Sequence, residues 1–180
     1  MFYLTLVIGP ILIILASLAL AIVIINLVLL LIIRVPYVNT PRHYLKKAIA
    51  NLQIAPRAVI YDLGCGSGDF LRLAQKFNPD RCIGLEISPW AYFIATLKNW
   101  RYKKIIIKLK DFFKEDLRAA DLVYIYLLPR LMEEVSAKLK KELKSGTQVI
   151  AIGSVLPGWE IKKKIVLDEK LNYNAYLYRV

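Results

Sequence analysis

VIYDLGCGSGDF, residues 59–70, is the segment from which the fold class of this chain follows. A short apolar run ends around Asp62, and glycines then occupy every second position at Gly64, Gly66 and Gly68. The apolar run favours a buried strand, and the residues after the glycines have helical spacing. In a doubly wound α/β sheet, the turn after the first strand lies nearest the ligand, and glycines let its main chain approach closely. The segment therefore predicts an α/β domain with a ligand site at this turn.

The spacing of the glycines separates two classes of nucleotide-binding loop. A dinucleotide fold uses G-x-G-x-x-G, but the residue three positions after Gly66 is Asp69, so that pattern fails. The pattern D-x-G-x-G-x-G is intact and resembles the S-adenosylmethionine (SAM) fingerprint of class I methyltransferases. A carboxylate suits the ammonium and sulfonium groups of SAM, directly or through water, whereas a phosphate would favour bare N–H groups. The loop residues expected to bind SAM are Asp62, Gly64, Cys65, Gly66 and Gly68.

Two further acidic residues follow the next two strands. Glu86 ends the run IGLEI about 20 residues after the loop, where nucleotide folds bind ribose hydroxyls, and Ile87 follows it. Asp111 follows the third strand, where SAM enzymes commonly hold the adenine amino group, with Phe112 available to cover the ring. For this last pair a structural alternative stays open, in which Asp111 caps a helix and Phe112 belongs to the core. The first interpretation adds Glu86, Ile87, Asp111 and Phe112 to the cofactor site.

Strands and helices alternate along the rest of the chain. Apolar runs predict strands over 57–63, 81–87, 104–109, 121–128 and 147–156. Helices are expected from Asp69, from Pro89 with Ser88 as N-cap, and from Pro129. Segments 161–168 and 172–180 are joined too closely for a parallel crossover and predict an antiparallel hairpin. The order predicts a Rossmann-like seven-strand methyltransferase sheet, parallel with a C-terminal antiparallel hairpin, preceded by one transmembrane helix.

The N-terminal segment is long and apolar enough to span a bilayer. Residues 2–33 contain no charged side chain, whereas a transmembrane helix needs about 20 apolar residues. A helix from Pro10 to Arg34 would measure roughly 36 Å at ~1.5 Å per residue. A cleaved signal peptide has a basic start and a shorter apolar core, and a buried core helix is the other alternative. We therefore predict an uncleaved anchor over 1–33, a connector over 34–44 and a methyltransferase domain over 45–180.

All 26 Lys and Arg and all 14 Asp and Glu follow the apolar segment, so the net charge of +12 belongs to the rest of the chain. Arg34, Arg42, Lys46 and Lys47 lie directly after the segment, and the positive-inside rule then predicts a single-pass membrane protein with a cytoplasmic catalytic domain. The positive charge suits an anionic leaflet, an acidic partner or a nucleic acid, and a solvated basic surface stays open as an alternative.

The two cysteines and the single histidine give no pattern of metal ligands. Cys65 and Cys82 form no C-x-x-C motif, and in a cytosolic domain we expect buried thiols, with neither a disulfide nor zinc. His43 has no second ligand spaced around it and is expected at the surface or in packing.

Four segments together resemble one family. PYVNTPRHYL (36–45) after the anchor, VIYDLGCGSGDF, GLEISPW (84–90) and YLLPRLMEEVSAKLKKEL (126–143) are similar to the membrane-anchored protein-lysine methyltransferases. Known members act on the ATP synthase c subunit or the adenine nucleotide translocase in mitochondria. Departures are Cys65, Ser67 and Asp69 in the loop, and 126–128 where F-G-V usually precedes the proline. The resemblance implies SAM as cofactor, a membrane-associated protein substrate and no nucleic-acid partner.

The end of the fourth strand bears on the group that is methylated. Enzymes for conjugated amines usually have an N/D-P-P-Y/F loop, and Tyr126-Leu127-Leu128-Pro129 lacks its polar first residue. A lysine amine needs only desolvation and alignment, because its neutral form is already a good nucleophile. Residues expected around the amine are Tyr37, Thr40, Tyr126, Pro129 and Trp159, whereas Trp90 and Tyr124 are expected in the core. Methylation of a small molecule or lipid amine, and a non-catalytic SAM-binding partner, stay open as alternatives.

Overall fold

The computed structural model describes residues 2–33 and 40–180, and within the first helix the side chains of residues 8–25, 27 and 28. That helix, α1, spans Phe2–Ile33. Its window Ile8–Ile25 has a mean hydropathy of 3.0 and no buried residue, so by length and composition it is able to cross a membrane. The helix begins well before Pro10, the start used for the length estimate, so Pro10 lies inside the helix. Gly9 precedes it, and a residue without Cβ reduces the clash that proline makes with its predecessor.

A seven-stranded sheet forms the centre of the remaining chain. Its strands are β1 Val59–Leu63, β2 Arg81–Glu86, β3 Ile105–Leu109, β4 Leu122–Ile125, β5 Gln148–Ile152, β6 Lys163–Asp168 and β7 Tyr173–Arg179. They are ordered β3-β2-β1-β4-β5-β7-β6, with β3 and β6 at the edges. The first five strands pair in parallel, and β7 pairs antiparallel with both β5 and β6. The predicted parallel sheet with a C-terminal antiparallel hairpin is confirmed.

Helices cover both faces of this sheet. They are α2 Arg42–Ile49, α3 Asp69–Ala74, α4 Pro89–Asn99 and α5 Met132–Glu142, with 3-10 turns at Gln75–Phe77, Phe112–Lys114 and Pro129–Leu131. One core cluster contains the buried side chains of α2 and α3, and a second cluster on the other face contains those of α5. Asn99 at the end of α4 donates to Ser67 O at 3.1 Å and accepts from Arg72 at 3.1 Å, which joins α4 to the start of α3.

The differences from the predicted bounds lie at the carboxyl ends of strands. β4 ends at Ile125, three residues short of the prediction, and Leu128 is extended as expected for a residue before proline but is not paired in the sheet. β5 ends at Ile152, since Gly153 has φ +76° and leaves the strand. Pro129 begins a 3-10 turn that precedes α5, and the N-cap at Ser88 is confirmed by its bond from Ala91 N. α2 begins at Arg42, ahead of the predicted domain start at residue 45, and those domain boundaries stay predictions.

Candidate functional site

The loop between β1 and α3 has a conformation that needs its glycines. Gly64, Gly66 and Gly68 have φ values of +77°, +51° and +75°. The amides of Gly64 and Cys65 donate to Leu85 O at 2.9 and 3.0 Å, so the loop is tied to the end of the neighbouring strand β2. Side chains with a Cβ disfavour this left-handed region. Glycine at every second position of the loop therefore reflects the left-handed conformation that the turn requires. A cleft lies beside this turn.

Asp62 is a buried carboxylate with an unsatisfied oxygen. Its side chain is 2% exposed, and Oδ1 has no hydrogen-bond partner among the described residues. Burial raises the pKa of Asp62 well above its ordinary value, and the nearby carboxylates of Glu86 and Asp69 raise it further. A buried charge without a partner is costly, so this position is suited to a positively charged ligand group.

Glu86 is held by backbone amides at the end of β2. Its Oε2 accepts from Gly66 N at 2.9 Å, and its Oε1 accepts from Ile87 N at 2.9 Å and from Ser88 N at 2.8 Å. Burial raises the pKa of Glu86, while the three amides oppose this shift. The carboxylate is thereby fixed next to the glycine loop, as its position after β2 predicts.

A cavity opens where β1, β4 and the loop meet. It is lined by Thr40, Leu45, Asp62, Gly64, Cys65, Gly66, Ser67, Asp69, Phe70, Tyr124 and Tyr126. Six of the predicted cofactor or substrate residues are thus brought together: Asp62, Gly64, Cys65 and Gly66 on one side, and Thr40 and Tyr126 on the other. Gly68, Glu86, Ile87, Asp111 and Phe112 lie outside this lining.

Asp111 and Phe112 have the features of the alternative in which Asp111 caps a helical turn and Phe112 packs against the core. Asp111 accepts from Phe113 N at 2.9 Å and caps the 3-10 turn after β3. Phe112 is partly buried against the second core cluster, with its ring 4.4 Å from that of Phe113. Their role in binding adenine stays a prediction.

Tyr124 is a cavity residue that was expected only in the core. It is 4% exposed, its ring stacks on Phe70 at 4.0 Å, and its hydroxyl lies 3.1 Å from Thr40 Oγ1. Burial, and then the charge of Asp62, raise the pKa of Tyr124 well above its ordinary value. The signal for this position was strand register, since Tyr124 of β4 pairs with Asp62 of β1 and paired residues share a face of the sheet.

Asp69 adds a second negative charge to the cavity. Its carboxylate accepts from Ser67 Oγ and forms an ion pair with Arg72. Burial opposes ionisation of Asp69, but the hydrogen bond from Ser67 and the charge of Arg72 outweigh it, so its pKa is lowered. Because Asp69 departs from the loop that is usual in the family, no signal in the sequence assigned it to the site.

The other residues predicted around the substrate amine are not gathered here. Tyr37 lies outside the described residues, and Pro129 is exposed at the start of its 3-10 turn. Trp159 belongs to the second core cluster, where its Nε1 donates to Ser136 Oγ at 2.9 Å. The expectation that Trp90 is a core residue is wrong, since it is 54% exposed on the outer face of α4.

The cavity fits one end of SAM. The unpaired Oδ1 of Asp62 offers an acceptor for the ammonium group, and two carboxylates complement the positive charges of ammonium and sulfonium. A Cβ on Gly64 would lie 3.1 Å from Leu127 Cδ2, so the turn packs closely against Leu127 only because Gly64 has no side chain.

Comparison with known proteins gives one family. The model of the ANTKMT methyltransferase domain matches residues 62–163. A protein-lysine N-methyltransferase of Saccharolobus islandicus is 34% identical over 80% of this chain and 92% of that protein. The adenine nucleotide translocase lysine N-methyltransferase of Mus musculus is 28% identical over 71% of this chain, which spans 57% of that protein's length.

The fold is also found among solved structures. An RNA methyltransferase from Salinibacter ruber in complex with S-adenosyl-L-homocysteine superposes with a TM-score of 0.72 at 24% identity, over 79% of this chain and 94% of that one. At this identity the likeness shows the fold, and the RNA substrate stays a property of that protein.

Proposed function

The chain belongs to the ANTKMT methyltransferase domain family and is a SAM-dependent methyltransferase, and we propose that it methylates a lysine of a membrane-associated protein while anchored by α1. The relative that it matches over 92% of that protein's length is a protein-lysine N-methyltransferase, which supports a lysine as acceptor. The non-catalytic alternative has no support from this family.

One observation supports the location of the reaction. The unpaired carboxylate oxygen of Asp62 and the hydroxyl groups of Thr40, Tyr124 and Tyr126 line the same cavity. Asp62 would hold the ammonium end of SAM, Gly64 and Gly66 would lie against it, and Glu86 would accept its ribose hydroxyls. When bound, SAM supplies a methyl group on a positively charged sulfur.

The chain's own contribution is to prepare the amine. A lysine side chain that enters between Tyr124, Tyr126 and Thr40 loses its contact with solvent. This desolvation favours the neutral amine, which has a free electron pair. Its proton would go to solvent before entry. The nitrogen electron pair would then bond to the methyl carbon as the bond from that carbon to the SAM sulfur breaks, so the products would be a methylated lysine ammonium and S-adenosylhomocysteine. The bond between Thr40 and Tyr124 fixes the tyrosine hydroxyl at the cavity wall, and this positions the amine.

The membrane part of the proposal depends on α1 and on charge. α1 is long and apolar enough to cross a bilayer, and the basic residues that follow it support a cytoplasmic position for the catalytic domain. The mouse relative is named for adenine nucleotide translocase, a membrane protein, as its substrate. A tethered enzyme would meet such targets at high effective concentration.

Transfer of labelled methyl groups into washed membranes tests this function. Full-length enzyme and labelled SAM should put label into membrane protein, and hydrolysis should release it as N-methylated lysine. Asp62→Asn keeps the shape of the side chain and should lower incorporation by more than about tenfold. Label in the lipid fraction would instead support the lipid-amine alternative, and label only in soluble protein would refute a membrane-protein substrate.

A further inference from the structure

α4 has an apolar face that points away from the protein. Trp90, Phe93, Leu97 and Trp100 are exposed by 54, 56, 58 and 69%, and together they form the aromatic stripe of α4 and its C-cap. The rings of Trp90 and Phe93 stack at 6.1 Å. These residues follow one another at intervals of three and four, so they lie on one side of the helix.

Packing against the sheet does not explain the stripe. The buried residues of α4 are Ala91, Ala95 and Asn99. At about 100° per residue, their direction is roughly opposite to that of the stripe. An ordinary surface helix has one apolar face toward the core, so a second apolar face marks an interaction surface.

The charged residues of the segment that carries the stripe are all of one sign. Residues 87–110 contain no Asp or Glu, and Lys98, Arg101 and Lys103 are exposed beside the stripe. The Arg101 guanidinium lies 4.9 Å from the centre of the Trp100 ring. Trp and Phe on one helix face, flanked by Lys and Arg, is the composition of helices that lie in the interface of anionic membranes.

The anchor restricts which surface can meet the stripe. α1 and α4 come into contact in the structure. α1 ends at Ile33 and α2 begins at Arg42, so the intervening residues reach at most about 30 Å when fully extended. The aromatic stripe of α4 is therefore kept close to the bilayer that α1 is proposed to cross.

From these observations we propose that the aromatic stripe of α4 docks on the anionic lipid surface, as a second membrane contact beside α1. Trp90, Phe93, Leu97 and Trp100 enter the headgroup region, and Lys98, Arg101 and Lys103 meet lipid phosphates. The contact fixes the orientation of the domain on the membrane. It rests on the proposed anchoring by α1, which is tested separately below.

Tryptophan fluorescence of the full chain in vesicles tests the docking, because the chain has three tryptophans and none lies in α1. The variant W159F keeps only Trp90 and Trp100, and the variant W90F/W100F keeps only Trp159, which lies in the second core cluster. Both are reconstituted in phosphatidylcholine and phosphatidylglycerol with brominated acyl chains. We expect quenching of roughly half the emission in W159F and little in W90F/W100F.

Further variants separate lipid from other occupants. Phe93→Ser with Leu97→Ser should reduce the quenching in the W159F background, while the matched control Leu171→Ser, 72% exposed at the β6–β7 turn, should not. Vesicles of phosphatidylcholine alone should also quench less. If the brominated lipid does not quench the emission of W159F, the proposal is overturned. Emission that changes only with the number of protein molecules per vesicle would also overturn it, because the stripe would then contact a second copy of the chain.

Flotation of a variant with Trp90, Phe93, Leu97 and Trp100 all replaced by Ser tests the anchor without the stripe. A variant that floats while W159F is not quenched refutes the docking and leaves the anchor. A variant that fails to float refutes the anchor, whatever α4 does.

Discussion

The side chain of Asp62 is placed by β1, and its Oδ1 is left without a partner among the described residues. Such an atom lowers the stability of the protein alone, because its desolvation is not compensated. The same cost is removed when a cation binds. The unsatisfied oxygen of Asp62 therefore lowers the free energy of unfolding of the ligand-free protein, and binding of a positively charged ligand recovers that free energy.

Asp62→Asn should weaken SAM binding by about 10- to 100-fold, which corresponds to the ~1.5–3 kcal/mol of a charge-assisted hydrogen bond. Isothermal titration calorimetry on the full chain measures this directly. The matched control is Asp116→Asn, an exposed acid paired with Arg118 away from the cavity, which should leave the affinity unchanged. Equal affinity of wild type and Asp62→Asn would remove Asp62 from the site.

The raised pKa of Asp62 predicts a pH dependence. Because burial favours the protonated carboxyl, the native state without ligand binds a proton that the unfolded chain has lost, and its stability falls as pH rises from about 3.9 through the raised value. A bound cation favours the carboxylate, so SAM affinity should rise with pH over that window. Calorimetry in two buffers of different ionisation enthalpy should show proton release, and Asp62→Asn should release fewer protons; equal release by both would contradict the assignment.

Among the elements, the junction between the glycine loop and α3 is the most tightly constrained. Gly68 is the N-cap of α3 and has a left-handed conformation. A Cβ on Gly68 would lie 2.5 Å from Nδ2 of Asn99, and that amide is held by bonds to Ser67 O and Ala95 O. The loop thus depends on α4 as well as on its own sequence.

Gly68→Ala should lower the free energy of unfolding by about 2–4 kcal/mol, from left-handed strain and from the clash with Asn99. Gly146→Ala is the control, since Gly146 also has positive φ, +87°, but its Cβ would meet nothing within 4 Å. Gly146→Ala should cost only about 1–2 kcal/mol. Denaturant unfolding compares the two, and equal losses would mean that Asn99 moves aside.

The sequence predicted these elements unevenly. All seven strands were located, because apolar runs between turn residues are a local signal. Trp90 was misassigned to the core, and the expectation that Tyr124 is a core residue is confirmed but missed that Tyr124 also lines the cavity, since an aromatic residue in an apolar run has the same local pattern in each place. Only the register of β4 against β1 and the rotation of α4 distinguish them, and both depend on tertiary packing.

At the scale of the whole molecule, the proposed function depends on the relation between α1 and the catalytic domain. The domain buries its own two core clusters, and the window Ile8–Ile25 adds no buried residue to them. The anchor is therefore expected to contribute to substrate access rather than to the fold of the site.

Deletion of residues 1–33 should leave SAM affinity within about twofold and reduce methylation of a membrane-embedded lysine by about 10²-fold or more, as tethering is lost. Labelled-methyl incorporation into washed membranes at equal enzyme concentration measures the second quantity. Calorimetry with SAM confirms that the shortened chain is folded. Equal incorporation by both forms would refute the role of the tether.

The position of β6 at the edge of the sheet affects how readily neighbouring molecules would aggregate at the membrane proposed above. Edge strands expose unpaired N–H and C=O groups, which are a template for aggregation with a neighbouring molecule. β6 has exposed Lys163 and Lys164, and β3 at the other edge has the partly exposed Lys108. Copies tethered as proposed would diffuse in two dimensions at high local density, where the exposed lysines of β6 would repel one another and make intermolecular β-pairing at that edge unfavourable.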